Sequence, residues 1–232
     1  MSASEASQRS NSPDSLLLLA QRAVDLLGSR NRILIGIAGS PGAGKTTLAR
    51  NVADQINKLI VVPESLSVAV VLPMDGYHLA NSMLDALGRH ERKGAIDTFD
   101  GWGFLALLRR IISELDHTVY APSFDRIVDE GVAGSIGISG QVRVVIVEGN
   151  YLLIDDGPWA HIPQLFAETW FCETLDEERL ERLVDRHTRH GRSAEQALDW
   201  ATTVDGKNAA LIQESSSRAT LRVSGVTAAI LS

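Results

Sequence analysis

Arg32-Ile33-Leu34-Ile35-Gly36-Ile37-Ala38 leads without a break into Gly39-Ser40-Pro41-Gly42-Ala43-Gly44-Lys45-Thr46. The first run is apolar and β-branched and lacks the polar alternation of a one-sided sheet, so it reads as a strand buried on both faces. The second fits the spacing G-x-x-x-x-G-K-[ST]. Beyond it, residues 46–59 return apolar side chains at helical intervals through Leu48, Val52, Ile56 and Leu59. Strand, glycine-rich turn and helix therefore follow in the order that wraps a phosphate group. Glycine admits backbone conformations closed to other residues, so successive N–H groups turn inward on phosphate oxygens. The helix adds the positive end of its dipole. Gly39, Ser40, Pro41, Gly42, Ala43, Gly44, Lys45, Thr46 and Thr47 are the predicted nucleotide-binding residues. Lys45 would neutralise β- and γ-phosphate charge and the Thr46 hydroxyl would enter a Mg²⁺ shell, with Thr47 as a second helix-start residue.

Outward from this loop the pattern repeats. Leu16, Leu19, Ala20, Ala23, Val24 and Leu27 predict a helix with Asp14 as N-cap and Gly28 as its stop. Further strands are expected at residues 68–72, closed by Pro73, at 142–147, ending on Glu148, and at 168–172. Charged helices are expected at 175–190 and 193–208, and residues 220–231 are strand-like. Strands alternating with helices predict a doubly wound α/β fold, a mainly parallel sheet with helices on both faces. A flexible, Ser-rich tail at residues 1–13 and one domain over 14–232 are the expected organisation. Ligands in such sheets sit beyond the carboxyl ends of the strands. The 39–46 loop, Asp75 and Glu148 all fall at such ends.

The chain has 232 residues, 44% of them hydrophobic and 22% charged, enough for a sizeable core and unlike a disordered or fibrous sequence. With 22 Lys and Arg against 29 Asp and Glu the net charge is −7, which argues against a general grip on nucleic acid or anionic lipid. Cys172 is the only cysteine, so an intrachain disulfide is excluded and a reducing, cytoplasmic location is expected. No apolar run approaches the ~20 residues that span a bilayer, and the Ser-rich start does not resemble a signal peptide. His117, His161, His187 and His190 show no ligand spacing for a transition metal. Trp102, Trp159 and Trp170 are expected in the core or a pocket wall.

A phosphate loop specifies a nucleotide, not a reaction. The guanine-reading N-K-x-D is missing, since the only Asn-Lys pair, Asn57-Lys58, continues as Leu59-Ile60. Phosphoryl transfer to a hydroxyl needs a group that aligns the acceptor and takes its proton, and positive charge for the transferring oxygens. Asp75 in Val70-Val71-Leu72-Pro73-Met74-Asp75-Gly76-Tyr77-His78 stands where such a carboxylate is needed, although the residues alone also allow it to cap the next helix. At this segment the chain resembles the P-loop kinase family of uridine kinase, phosphoribulokinase and bacterial type I pantothenate kinase. The resemblance implies that Asp75 is the acceptor base, and it adds a helical lid to the expected P-loop NTPase fold.

Further segments extend the resemblance, which spans about residues 14–223. Arg92-Lys93-Gly94-Ala95-Ile96-Asp97-Thr98-Phe99-Asp100 is similar to the family's R-K-G-x-P-[DE]-[ST]-[FY]-D, with Ile96 in place of its proline. Uridine kinases carry an Asp where this chain has Gly94, so uridine is the less expected substrate. Tyr120-Ala121-Pro122-Ser123-Phe124-Asp125-Arg126 resembles a turn that walls the acceptor pocket, where Arg126 either holds an anionic group or pairs with a surface Asp. Together these segments imply Tyr77, His78, Lys93, Asp97, Phe124, Arg126 and Tyr151 as acceptor-side residues beside Asp75. Lys93 and Asp97 read equally as a solvated charged loop. Glu148 looks like the family's Mg²⁺ carboxylate, alongside Thr46.

Arg179, Arg182, Arg186 and Arg189 recur at helical spacing and make one face cationic, either as a salt-bridged surface helix or as the family's lid at about residues 176–195. The lid reading makes Arg186 catalytic, with Arg182 and Arg192 next to phosphate. Trp200, Asp205 and Asn208 match a W-x-x-x-x-D-x-x-N stretch without an assigned role. The resemblance is greatest to bacterial nucleoside/nucleotide-kinase-like proteins described as fructose-transport-system kinases, a label that leaves the acceptor open. The expectation is an ATP- and Mg²⁺-dependent kinase acting on a hydroxyl of a small, sugar-like metabolite, with Asp75, Lys45 and Arg186 as catalytic residues and a homodimer possible. Pantothenate and nucleoside phosphorylation are the alternatives, as is a nucleotide-binding regulator without transfer activity.

Overall fold

The buried run at residues 33–38 forms the middle of the sheet in the computed structural model, which describes residues 12–60, 63, 67–189 and 191–231. In chain order the elements are α1 (Pro13–Leu27), β1 (Ile33–Ala38), α2 (Lys45–Leu59), β2 (Ala69–Pro73), α3 (Asn81–Ala86), α4 (Gly101–Ser113), β3 (Val119–Asp125) and β4 (Glu130–Ile138). They continue as β5 (Val144–Gly149), β6 (Glu168–Glu173), α5 (Asp176–Arg189), α6 (Ala194–Glu214), β7 (Leu221–Ser224) and β8 (Ile230–Leu231). A six-stranded sheet runs β2-β5-β1-β6-β7-β8. Its neighbours are parallel except for β8, which returns antiparallel to β7.

Alternate side chains of β1 feed two cores, as the pleat requires. Ile33, Ile35 and Ile37 pack with α1 and α2 through Leu19, Ala23, Leu48, Val52 and Ile56. Leu34 and Ala38 face the opposite layer with Leu105, Leu108, Tyr151 and Trp159. Each fully buried Leu or Ile contributes about 1.5–3 kcal/mol, so a shift of one residue in β1 would exchange both layers at once. Buried Arg32 precedes β1 rather than belonging to it, and its guanidinium donates to the carbonyls of Val142, Ile111 and Ser139.

Several local expectations are corrected. Ser12, not Asp14, occupies the N-cap of α1, because Pro13 takes the first helical position, where its missing N–H costs nothing. The predicted tail boundary at residue 13 therefore falls inside the helix, while residues 1–11 lie outside the described residues, as does His190. The third predicted strand begins at Val144, and α6 runs to Glu214, beyond the expected 208. Tyr120 to Asp125 is not a turn after a strand but part of β3, which pairs antiparallel with β4 in a separate ribbon. The ribbon went unpredicted because Pro122 sits where the register shifts, at a bulge that tolerates a missing N–H. Trp102 is 61% exposed, contrary to its expected place in the core or a pocket wall.

Candidate active site

The phosphate loop owes its shape to three glycines with positive φ, Gly39 (151°), Gly42 (80°) and Gly44 (97°). Lys45 opens α2 and its buried ammonium donates to the Ser40 carbonyl at 3.0 Å. The loop is braced from behind: the Ala43 carbonyl accepts from Thr174 Oγ1 at 2.8 Å and from Cys172 Sγ at 3.3 Å. Gly225, which follows β7, completes this support. A Cβ there would lie 1.8 Å from the Ala43 oxygen. Gly225→Ala is therefore expected to force the loop outward, lowering the melting temperature by about 3–10 °C and weakening Mg·ATP binding. Thermal melts and nucleotide titration check this; an unaltered melting temperature would count against the brace.

Two carboxylates confront the loop from neighbouring strand ends. Glu148, near the end of β5, accepts from Thr46 Oγ1 at 2.9 Å. Burial, and then the charge of Asp75, push its carboxyl above the usual range, against the pull of Lys45 and the Thr46 hydroxyl. Burial likewise lowers the Lys45 pKa, while Glu148, Cys172 and Asp75 favour its charged form. Asp75 lies in a short 3₁₀ turn (Met74–Tyr77) directly after β2. Its backbone carbonyl accepts from the His78 amide at 3.2 Å and lies 2.7 Å from His78 Nδ1. The His78 ring is wedged between Phe99 and Phe124 at centroid distances of 4.0 and 4.6 Å, and burial lowers its pKa. Arg126 Nη2 stands 3.6 Å from the Asp75 carboxylate.

Helix α5 packs directly on the loop. A Cβ on Gly42 would lie 3.0 Å from both the Arg179 carbonyl and Leu183. Arg179 donates to the Pro41 carbonyl at 3.0 Å and Arg182 to that of Gly42 at 3.4 Å. Burial lowers the Arg186 pKa, opposed first by the charge of Asp205 and then by Asp75. Arg189 turns away and pairs with Asp185 at 2.8 Å.

The loop, the strand ends, α5 with the turn after it, and α6 line a cleft of about 630 Å³. Of the residues expected from sequence, Pro41, Gly42, Gly44, Lys45, Thr46, Thr47, Asp75, His78, Lys93, Phe124, Arg126, Glu148, Arg182, Arg186 and Arg192 line it. Gly39, Ser40 and Ala43 lie behind the loop surface. Three expected acceptor residues stand outside the lining. Tyr77 packs its ring on Phe104 at 5.3 Å, and Asp97 is taken up by Arg89 and Arg92. Tyr151 is fully buried and its hydroxyl donates to the Gly94 carbonyl at 2.6 Å. Conversely, His187, Trp200, Asp205 and Asn208 line the cleft although the sequence assigned them no role. Their spacing along α5 and α6 follows helix periodicity and looks like ordinary packing; only the facing of the two helices exposes the cluster.

The family comparison settles what kind of enzyme carries this cleft. A sequence profile of the Phosphoribulokinase / Uridine kinase family matches residues 34–229. The chain belongs to that family. It is 32% identical over 202 residues to a Schizosaccharomyces pombe protein named "putative uridine kinase", covering 84% of each chain. Among solved structures, a Silicibacter protein described as a "putative fructose transport system kinase" is 34% identical, with a TM-score of 0.78 over 86% of this chain and 94% of that one. The Saccharomyces cerevisiae P-loop protein YFH7 shares the fold, with a TM-score of 0.75 at 20% identity over 86% of this chain and 95% of that one. As a member of the phosphoribulokinase/uridine kinase family, the protein is an ATP-dependent kinase, a phosphotransferase.

Proposed function

We propose that the protein transfers the γ-phosphoryl group of ATP to a hydroxyl of a small, polar, sugar-like metabolite. The observation that carries this reading is the presence of Asp75 in the same cleft as Lys45, Thr46 and Glu148. Asp75 orients the acceptor hydroxyl and takes its proton as the new oxygen–phosphorus bond forms and the bond to the β–γ bridging oxygen breaks, releasing ADP. Lys45 and the loop amides hold the donor phosphates. Arg182 and Arg186 screen the charge that spreads over the transferring oxygens, and their planar forks suit phosphoryl geometry.

Thr46 and Glu148 offer two adjacent oxygen donors at the loop's end, a set that fits Mg²⁺. Bound there with the nucleotide, the ion would neutralise phosphate charge. The lid helix seated on Gly42 excludes water and so limits wasteful ATP hydrolysis.

The name of the Schizosaccharomyces pombe relative favours a nucleoside acceptor as a second reading. Against it, residue 94 is a glycine at φ 102° whose carbonyl is bonded to Tyr151 and Asn208, not the Asp implied for uridine kinases. A Mg·ATP-coupled screen over sugars, nucleosides, pantothenate and glycerate tests both. ADP formation that depends on an added sugar-like compound is expected. ADP release indifferent to every compound would leave only a nucleotide-binding regulator.

A further inference from the structure

The cleft has an end that the phosphate loop does not reach. On α5 it is Arg179 and Arg182 that touch the loop carbonyls. The helix advances about 1.5 Å per residue, so His187 lies about 7–8 Å along it from Arg182. There, in the turn after α5, Arg192 is clamped on two sides. Its guanidinium carbon lies 3.9 Å from the Trp200 ring centroid, and its Nη1 donates to His187 Nδ1 at 2.9 Å. His187 Nε2 in turn donates to Asp205 Oδ2 at 2.8 Å.

Neither clamp on Arg192 is an anion, and the Asp205 carboxylate is linked to it only through His187. Two other cations of the cleft are ion-paired, Arg126 facing Asp75 at 3.6 Å and Lys93 pairing with Asp129 at 2.9 Å, while Lys45 and Arg182 are held by the loop carbonyls of Ser40 and Gly42. Among the described residues no ion pair involves Arg192. The position of this charge relative to Asp75 follows from a chain of contacts. Asn208, on α6 with Trp200 and Asp205, donates to the Gly94 carbonyl at 3.3 Å. The neighbouring Lys93 ammonium lies over the Phe124 ring, which packs on His78 beside Asp75. The clamped guanidinium and the Asp75 carboxylate thus line one cleft.

We propose that the acceptor carries an anionic group, a carboxylate or phosphate, in addition to its reacting hydroxyl, and that Arg192 binds that group. The proposal rests on the hydroxyl-kinase reading of the cleft and narrows it. It also removes Arg192 from the ATP-phosphate residues expected from sequence. His187, Asp205 and Trp200 are positioning residues, since stacking and a directed hydrogen bond spare Arg192 the entropy of being ordered by its ligand.

Matched pairs test this: glycerate and glycerol, pantothenate and panthenol, fructose 6-phosphate and fructose, each offered with Mg·ATP. Transfer is expected to charged members only, carboxylates and phosphates reporting separately. Arg192→Gln should raise the acceptor KM about thirtyfold while the KM for ATP stays within about threefold, with Arg192→Lys restoring part of the loss. His187→Ala, which loosens the guanidinium without removing it, should raise the same KM by about fivefold. Thermal melts confirm that each variant is folded.

If no member is phosphorylated, calorimetry of the same compounds on the ADP-loaded wild type and Arg192→Gln proteins decides. Binding of charged members that the variant loses would sustain the anion site and count against hydroxyl transfer. Equal transfer to charged and neutral members, a rise in the ATP KM alone, or no binding of any charged compound at millimolar concentration would overturn the proposal.

Discussion

Asp75→Asn is expected to slow phosphoryl transfer by about 10³-fold, a barrier increase of about 4 kcal/mol, while Mg·ATP binding changes by less than about threefold. Asparagine keeps the shape of the side chain but cannot take up the acceptor's proton. Asp75 reaches the cleft from a 3₁₀ turn whose backbone is tied to His78, so the substitution leaves the turn's hydrogen bonds in place. Single-turnover measurement with acceptor and ATP saturating separates this loss from binding. A variant that transfers phosphate at the wild-type rate would remove Asp75 from the role of base and return it to that of a structural turn residue.

Lys45→Ala is expected to reduce kcat/KM by about 10³-fold with both binding and turnover affected, because a preorganised cation in a buried site is worth about 3–4 kcal/mol to the developing charge. The structure adds a second consequence. Lys45 is among the groups that lower the Glu148 pKa against burial and the charge of Asp75, so losing the ammonium drives that carboxyl further toward its protonated form. A protonated Glu148 has fewer oxygens to offer a divalent ion. The Mg²⁺ concentration needed for half-maximal activity should therefore rise in Lys45→Ala. Mg²⁺ titrations at fixed nucleotide check this, and an unchanged Mg²⁺ requirement would show that the two groups act independently.

Legibility differed between parts of the chain for physical reasons. The central strands were readable because a strand covered on both faces is a near-continuous apolar run, as β1 and residues 144–147 of β5 are. The phosphate loop was readable because its glycines and Lys45 are adjacent in sequence. The β3–β4 ribbon was not: β4 is mostly exposed and rich in glycine, so it carries no apolar alternation to detect. Tyr151 was expected at the acceptor and instead lies buried against Gly94. A tyrosine after a strand end serves either purpose, and only the covering of that strand end by the loop at residue 94 decides which.

The sequence alone determined the α/β class, the order of strand, loop and helix, the place of the glycine-rich loop, and the strand-end positions of Asp75 and Glu148, since each depends on residues close together along the chain. Tertiary structure decided what depends on distant segments meeting. Gly225 became a brace only by lying under Ala43. Likewise, the Arg192 guanidinium meets both His187 and Trp200 only because α5 and α6 face one another. Helix periodicity specifies which side chains share a face, but it carries no information about what that face will touch. That is fixed by the packing of whole elements, in which each contact is set by many side chains at once.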